Sequence, residues 1–343
     1  MKRCLDLAAK GAGSVAPNPM VGAVLVFNEI IIGEGYHEVY GAAHAEVNCL
    51  NAVLPAQTHL IPLSTLYVSL EPCAHFGKTP PCADLIIQHK IPRVVIGCRD
   101  PFKEVNGKGI EKLKSAGIEV ISGVLESACR EMNKRFLCFH TLQRPYIILK
   151  WAQSANGKIA GNKEERIYIS NTYSNTLVHK WRSEEAAILV GTRTALTDNP
   201  VLNTRHWPGK PPVRIVLDLQ LRLPVTLQLF NQQQPTVVLN FFKNETNGQV
   251  RYYQLKQEKS LVAQICDALY ALNIQSVLVE GGAQLLQTFI DAGCFDEWRI
   301  ITNQLLEIPR GLSAPVYPAA LPETTFKLDT DTIALYRNKS NEL

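Results

Sequence analysis

The chain has 343 residues, 46% hydrophobic and 19% charged, with a formal net charge of +4. That length exceeds one typical domain and suits two, each large enough to build a core. The mild positive charge suits a phosphorylated small molecule and falls far short of the basic footprint of a dedicated nucleic-acid binder. Nine cysteines without framework spacing argue against a disulfide scaffold and for a reducing compartment. No signal-like segment follows Met1-Lys2-Arg3, and no apolar run is long enough to cross a bilayer, so the expected location is the cytoplasm.

Residues 2–12 read as a short helix ended by Pro17-Asn18-Pro19. Residues 21–27 and 30–36 are apolar and β-branched around Asn28-Glu29, which predicts a hairpin. From Ala42 the pattern turns helical, with Val47, Leu50 and Leu54 on one stripe. Residues 65–70 predict a strand, 82–89 a helix with Pro81 at its first turn, 93–97 a strand, 107–116 a helix, 118–121 a strand and 125–138 a helix. A hairpin followed by alternating helices and strands implies a mixed sheet with helices on both faces.

Residues 139–145 break this pattern and mark the expected boundary between a domain at 1–140 and a second at 145–343. In the second half, strands are expected at 146–152, 186–190, 213–217, 236–240, 250–255, 276–279 and 297–302. Helices are expected at 171–181, 260–272 and 283–292. Ser154-Ala155-Asn156-Gly157-Lys158 reads as a polar turn, and Asn231-Gln232-Gln233-Gln234 as a solvated loop. The fold class is therefore α/β in both halves.

Chemistry concentrates between Gly41 and Cys82. His44 and Glu46 stand two apart near a helix start, Cys73 follows a strand, and Cys82 opens the next helix. On a regular helix His44 and Glu46 would be about 200° apart, so they serve one centre only if it lies off the helix N-terminus. Thiols at helix starts or tight turns favour the thiolate that zinc requires. One imidazole and two thiolates leave a tetrahedral ion a position for water, which marks a catalytic rather than a structural centre. Glu46, outside the ligand set, can move the water's proton to a ring nitrogen and then to departing ammonia. A structural zinc knot would need a fourth protein ligand, and His75 is the residue available between the cysteines.

The second half has no Gly-x-Gly-x-x-Gly, which argues against a Rossmann domain. It does have Glu280-Gly281-Gly282 between an expected strand and helix. This arrangement can bring backbone N–H groups to phosphate oxygens, or can simply be a tight turn.

Pro17-Asn18-Pro19-Met20-Val21-Gly22, Gly33-Glu34-Gly35-Tyr36-His37, His44-Ala45-Glu46-Val47 and the run from Leu70 to Cys82 together resemble the bifunctional deaminase–reductase family of riboflavin biosynthesis. Eight residues separate Cys73 from Cys82, where nucleoside and nucleic-acid deaminases typically carry two. The resemblance implies a cytidine-deaminase-like first domain, with His44, Cys73 and Cys82 as zinc ligands and Glu46 as proton shuttle. Its implied substrate is a diaminopyrimidinone bearing a phosphoribosylamino group. Asn18 is a candidate ring contact, or a plain turn residue.

The second half resembles the same family's reductase, whose fold is similar to dihydrofolate reductase. The matching stretches include Leu149-Lys150, Trp181-Arg182-Ser183, Thr194 to Pro200 and Val279 to Gly282. The likeness implies that Arg182, Leu202, Arg205 and Glu280 contact substrate. It also implies that Gln153, Tyr168, Thr194, Asp198, Gly282, Ala283 and Gln284 line an NADPH site. Where the family commonly shows Ser-x-Trp-Ile, this chain has Arg166-Ile167-Tyr168-Ile169. Tyr168 keeps an aromatic ring able to stack, and no substrate role carries over to Arg166.

The expected partner is thus a phosphorylated pyrimidine, with no nucleic acid and no membrane, and a homo-oligomer stays open. The rivals are a deaminase of another base with a non-catalytic C-terminal half, and a zinc-stabilised RNA- or protein-binding module.

Overall fold

The structure, a computed structural model, describes residues 1–74, 76, 80–102, 105–161 and 167–341. The chain divides into two compact units, Met1–Gln143 and Arg144–Leu343.

The first unit runs α1 (Lys2–Ala8), β1 (Gly22–Phe27), β2 (Ile30–Tyr36), α2 (Ala45–Asn51), β3 (Thr65–Leu70), α3 (Cys82–Gln88), β4 (Arg93–Cys98), α4 (Lys108–Ser115), β5 (Glu119–Ser122), α5 (Glu126–Met132) and α6 (Lys134–Leu142). Its five-stranded sheet has the order β2-β1-β3-β4-β5. β1 is antiparallel to both β2 and β3, whereas β3, β4 and β5 are parallel. Alternation along β1 sorts the helices. Ala23 and Leu25 join the core built with α2, α3 and α4, and Val24 faces Cys4 and Leu7 of α1. Cys129 of α5 and Phe136 and Leu137 of α6 pack with Leu70 and Cys98.

The expected single helix over 125–138 is two, because Asn133 breaks it. Its buried side chain donates to the Met20 carbonyl at 2.9 Å and accepts the Met20 N–H at 2.8 Å. That bond pair ties the segment before β1 to the α5–α6 corner. Helix α6 then continues to Leu142, past the expected break at residue 139, because Phe136, Leu137, Cys138 and Phe139 are all buried.

The second unit runs β6 (Tyr146–Ser154), β7 (Lys158–Gly161), α7 (Thr172–Glu184), β8 (Ala187–Gly191), α8 (Thr192–Asp198), β9 (Val213–Leu217), β10 (Thr236–Asn240), β11 (Glu245–Asn247), β12 (Val250–Gln254), α9 (Leu261–Ala271), β13 (Ser276–Gly281), α10 (Ala283–Asp291), β14 (Glu297–Asn303), β15 (Gly311–Ser313), β16 (Thr324–Leu328) and β17 (Asp331–Arg337). Ten strands form one sheet in the order β11-β12-β10-β9-β8-β13-β6-β14-β17-β16, and β7 pairs with β15 in a separate ribbon. The seven strands from β12 to β14 in that order are parallel.

Parallel strands covered on both faces read as near-continuous apolar runs, which is why most were legible. One face packs against α9 and α10 through Ile265, Leu269, Leu286 and Phe289. The other carries Ile188, Val190, Val216 and Val238 against Ala195 of α8 and Leu202. Helices α7 and α9 are capped by Asn171 and Ser260, whose side chains accept the N–H groups of Ser174 and Ala263.

The run Asn231–Gln234 is no simple solvated loop. Gln234 is buried, and its amide donates to the carbonyls of Pro212 and Leu202. Arg214, fully buried with no carboxylate beside it among the described residues, is held by the Thr236 hydroxyl, the Asn231 side chain and the carbonyls of Gln228 and Gln234. A buried polar group must find such partners, and composition alone does not show that it has them.

Candidate active sites

His44 is the N-cap of α2, with φ −74° and ψ 165°. It belongs to the incoming extended chain, so the 200° separation expected for two helical residues does not apply. Glu46, in the first turn, is 3% exposed. Cys73 lies just past the end of β3, and Cys82 is the first residue of α3, behind Pro81. The Cys82 N–H points at Cys73 Sγ at 3.3 Å, and the Ala83 N–H donates to the Cys73 carbonyl at 3.1 Å. The start of α3 is therefore tied at Cys82 and Ala83 to Cys73, just past β3.

The ligand atoms of His44, Cys73 and Cys82 all lie within 4.8 Å of one another. His44 Nδ1 is 3.7 Å from Cys73 Sγ and 3.3 Å from Cys82 Sγ. Tetrahedral zinc, with bonds of about 2.3 Å to sulfur and 2.0 Å to nitrogen, sets such atoms about 3.6 Å apart. The donor set fits that ion. The Cys82 S–H, with help from His44, draws Cys73 down to about 4, while the same contact and burial push Cys82 well above its ordinary value. Burial also pushes the Glu46 carboxyl up, and the charge at Cys73 adds to this. The alternative fourth ligand, His75, lies outside the described residues.

Neighbours that the sequence reading gave no role surround this centre. The carboxylate of Glu71, 4% exposed, accepts N–H groups from Gly107 and Gly109 at 3.0 Å and from Asp100 and Ile110 at 3.3 Å. It thereby locks the residue before Pro72-Cys73 to the start of α4. Gly109 allows this approach, since a Cβ there would stand 2.0 Å from the Pro72 carbonyl oxygen. His37 packs edge-on to His44, ring centroids 5.5 Å apart. Its Nδ1 is 3.0 Å from the Ala43 carbonyl, which requires the proton there, so Nε2 accepts from the Asn18 amide at 3.0 Å. Asn18 is thus more than a turn residue: it orients a ring that packs on a ligand. Asp100 is buried, and burial pushes it up to about 7.

In the second unit the residues gather at the carboxyl ends of the parallel strands, where open α/β sheets bind ligands. Two of the expected substrate contacts are each other's partners. Arg182 on α7 and Glu280 at the end of β13 form a bidentate pair, with Nε–Oε1 at 2.7 Å and Nη2–Oε2 at 2.8 Å. Lys150 of β6 lies 3.9 Å from the same carboxylate. Burial would raise Glu280, but the charges of Arg182 and Lys150 overcome it and hold the carboxyl at about 2.

Arg182 Nη1 also donates to the Asn203 carbonyl at 3.2 Å, and Arg205 donates to the Asn203 side chain at 3.1 Å. With its side chain 13% exposed, Arg182 is not a solvated helix charge. Leu202, buried with φ +54°, is held in that backbone by Gln234. His179, one turn before Arg182, is 4% exposed, lies edge-on to His206 and is lowered to about 4, first by burial and then by Arg182, Arg205 and His206.

Thr194 and Asp198 share a face of α8 four residues apart. Thr194 Oγ1 lies 3.2 Å from where a Cβ on Gly282 would be and 4.0 Å from that of Gly281. Gly281 has φ +129°, a backbone that side chains rarely adopt. The turn delivers the chain into α10, whose first N–H groups, Ala283 and Gln284 among them, have no acceptor within the helix. Such a cradle fits the phosphates of a dinucleotide. Gln153 sits near the end of β6, its Nε2 3.3 Å from Thr302 Oγ1 on β14 and its Oε1 accepting from Trp151 at 2.8 Å. Tyr168 precedes α7 and is 74% exposed. Arg166 lies outside the described residues.

Residues 1–98 match the family of the cytidine and deoxycytidylate deaminase zinc-binding region, and residues 145–306 match the RibD C-terminal domain. The chain is 42% identical to the riboflavin biosynthesis protein RibD of Aquifex aeolicus, over 86% of this chain and 83% of that one. Against RibD of Actinobacillus pleuropneumoniae the identity is 38%, over 91% and 86%. The fold is similar to a crystal structure of a diaminohydroxyphosphoribosylaminopyrimidine deaminase/5-amino-6-(5-phosphoribosylamino)uracil reductase from Thermotoga maritima. That likeness has TM-score 0.86 and 36% identity and covers 98% of this chain and 97% of that one. Acinetobacter baumannii RibD gives the same TM-score at 31% identity, with the same coverage.

Proposed function

The chain belongs to the RibD family of riboflavin biosynthesis, and on that premise we propose that His44, Cys73 and Cys82 hold its zinc ion while Glu46 moves its protons. The enzyme is a zinc-dependent deaminase fused to an NADPH-dependent reductase, acting on a phosphorylated pyrimidine. In this reading residues 1–140 carry the deaminase and 145–343 the reductase. The deaminase substrate is 2,5-diamino-6-(5-phosphoribosylamino)pyrimidin-4-one, and the reductase converts the ribosyl group of the product to ribityl. The convergence of His44 Nδ1 and the two Sγ atoms beside a buried, unligated carboxyl carries the reading.

Zinc bound by these three side chains supplies a Lewis acid that makes water nucleophilic at neutral pH. Glu46, kept from easy ionisation by burial, accepts the attacking water's proton and returns it to the ring nitrogen and then to the leaving amine. Asn18 and His37 keep the His44 ring in register, and Glu71 fixes the backbone that carries Cys73.

NADPH supplies the hydride of the second step. Thr194, Asp198, Gly282, Ala283, Gln284, Gln153 and Tyr168 would hold it, with the α10 N–H groups taking phosphate oxygens. Arg205 and Leu202 face the substrate. Arg182 and Glu280, fixed by each other and by Lys150, present a preset charge pattern that needs no rearrangement during reaction.

We further propose a cytoplasmic enzyme without nucleic-acid or membrane partners. The net charge of +4, nine free thiols and, among the described residues, no helix long and apolar enough to cross a membrane support this. One coupled assay tests the whole reading: ammonia release from the diaminopyrimidinone, then loss of NADPH absorbance. Ammonia release without NADPH oxidation would instead favour a deaminase with a non-catalytic second half.

A further inference from the structure

Two thiols outside the zinc centre meet in the reductase unit. Cys266 on α9 and Cys294, just past α10, have their sulfurs 3.6 Å apart. Cys4, Cys49, Cys98 and Cys129 are buried, and burial pushes each of those thiols up. Cys294 differs. The turn at Gly293, φ +61°, closes α10 with the Cys294 N–H on the Phe289 carbonyl at 3.2 Å. This leaves Cys294 half-buried beside exposed Asp291, Ala292 and Gly293, whereas Cys266 is 6% exposed behind it.

We propose that Cys266 and Cys294 form a reversible redox site in which hydrogen peroxide converts the two thiols to a disulfide. Cys294 is the attacking sulfur. Hydrogen bonding from the Cys266 S–H lowers it to about 7, and the nearby Arg144 charge assists against the opposing effects of burial and Asp296. A thiol poised near ambient pH combines ionisation with nucleophilicity.

The Cys294 thiolate attacks one peroxide oxygen, an S–O bond forms, the O–O bond breaks, and the released hydroxide leaves as water on taking a proton. Cys266 then attacks the Cys294 sulfur. The S–S bond forms as the S–O bond breaks, and the Cys266 proton departs with that oxygen as a second water. The sulfurs together lose the two electrons the peroxide gains. Forming a bond of about 2.05 Å from 3.6 Å asks the two sulfurs to approach by about 1.5 Å. The closed segment contains all of β13, the Gly281-Gly282 turn and α10, so oxidation restrains the stretch that carries the proposed phosphate cradle.

The sequence offers a direct assay. No lysine or arginine lies between Ser260 and Arg299, so trypsin releases both cysteines, and no others, in one peptide. Zinc-loaded, reduced enzyme is treated with hydrogen peroxide, alkylated under denaturing conditions and digested. The expected peptide carries no alkyl groups and two hydrogens fewer, and dithiothreitol before alkylation restores two alkyl groups. In Cys266→Ala, Cys294 should accumulate oxygen adducts instead; in Cys294→Ser, Cys266 should stay alkylatable. A doubly alkylated peptide after peroxide, or equal oxidation of Cys266 in the Cys294→Ser protein, overturns the proposal. None of these outcomes depends on which substrate the enzyme takes.

Discussion

Each unit has a glutamate with a largely buried side chain in its proposed site, and the two are driven in opposite directions. Among the described residues Glu46 has no lysine or arginine partner; burial pushes its carboxyl up, which suits the proposed taking and returning of a proton. Glu280 is also largely buried, its side chain 9% exposed, yet Arg182 and Lys150 hold it at about 2, where it stays charged at neutral pH. In the proposed roles the same side chain is a proton carrier in one setting and a fixed electrostatic post in the other. Basic neighbours, more than burial, decide which. Glu46→Gln tests the first half of the contrast. It should leave zinc content unchanged, by metal analysis, while ammonia release falls by about 10² to 10⁴. NADPH oxidation on supplied deaminated product should be unaffected.

The second half of the contrast is tested through stability. Arg182→Met strands a buried carboxylate with Lys150 alone at 3.9 Å, and it should cost about 3–5 kcal/mol. Pairing it with Glu280→Leu should recover most of that loss without restoring reduction. Every tryptophan of the chain, at 151, 181, 207 and 298, lies in the second unit, so fluorescence during urea unfolding reads that unit alone. If Arg182→Met unfolds like wild type, the pair is not the fixed post described.

Acid should separate the same contributions. Glu280 is at about 2 when folded, against an ordinary 4.5. Folding therefore favours its ionised form. The stabilisation is fully present above pH 4.5 and is lost as pH falls towards 2, by an amount on the order of 3 kcal/mol. His179 adds a loss at higher pH. Its folded value is about 4 against 6.5, so below pH 6.5 the unfolded chain takes up a proton that the folded unit refuses. Tryptophan-monitored stability should decline in two stages from pH 6.5 downward, and His179→Gln should remove the upper stage.

How legible these features were follows from how local they are. The proposed ligands and Glu46 fall in two short stretches, so residue types, spacing and the family resemblance singled them out; only the angle between His44 and Glu46 needed the structure, which places His44 outside the helix. The parallel strands announced themselves as apolar runs. Glu71, His37, Lys150 and Gln234 did not. Each works through a partner distant in sequence, and a glutamine run with a buried last member looks the same as a solvated one. Arg182 and Glu280 were each picked out, but their pairing across 98 residues was not. Asn133 likewise splits a helix through a bond to Met20, 113 residues away.

The smallest effect concerns the support behind His44. Asn18 donates to Nε2 of His37, whose other nitrogen is committed to the Ala43 carbonyl and whose ring packs on His44. Asn18→Ala removes that donor and leaves a buried acceptor unmatched, at a cost of about 1–3 kcal/mol to the first unit. Zinc should still bind, because none of the three ligands is lost, but His44 would be held less firmly. The contrast between the units predicts where this shows. Deaminase turnover should fall by about tenfold or less, while NADPH oxidation and the tryptophan-monitored transition stay as in wild type. A loss as deep as that of Glu46→Gln would instead make Asn18 a direct partner of the substrate ring, and the proton work could then no longer be assigned to Glu46 alone.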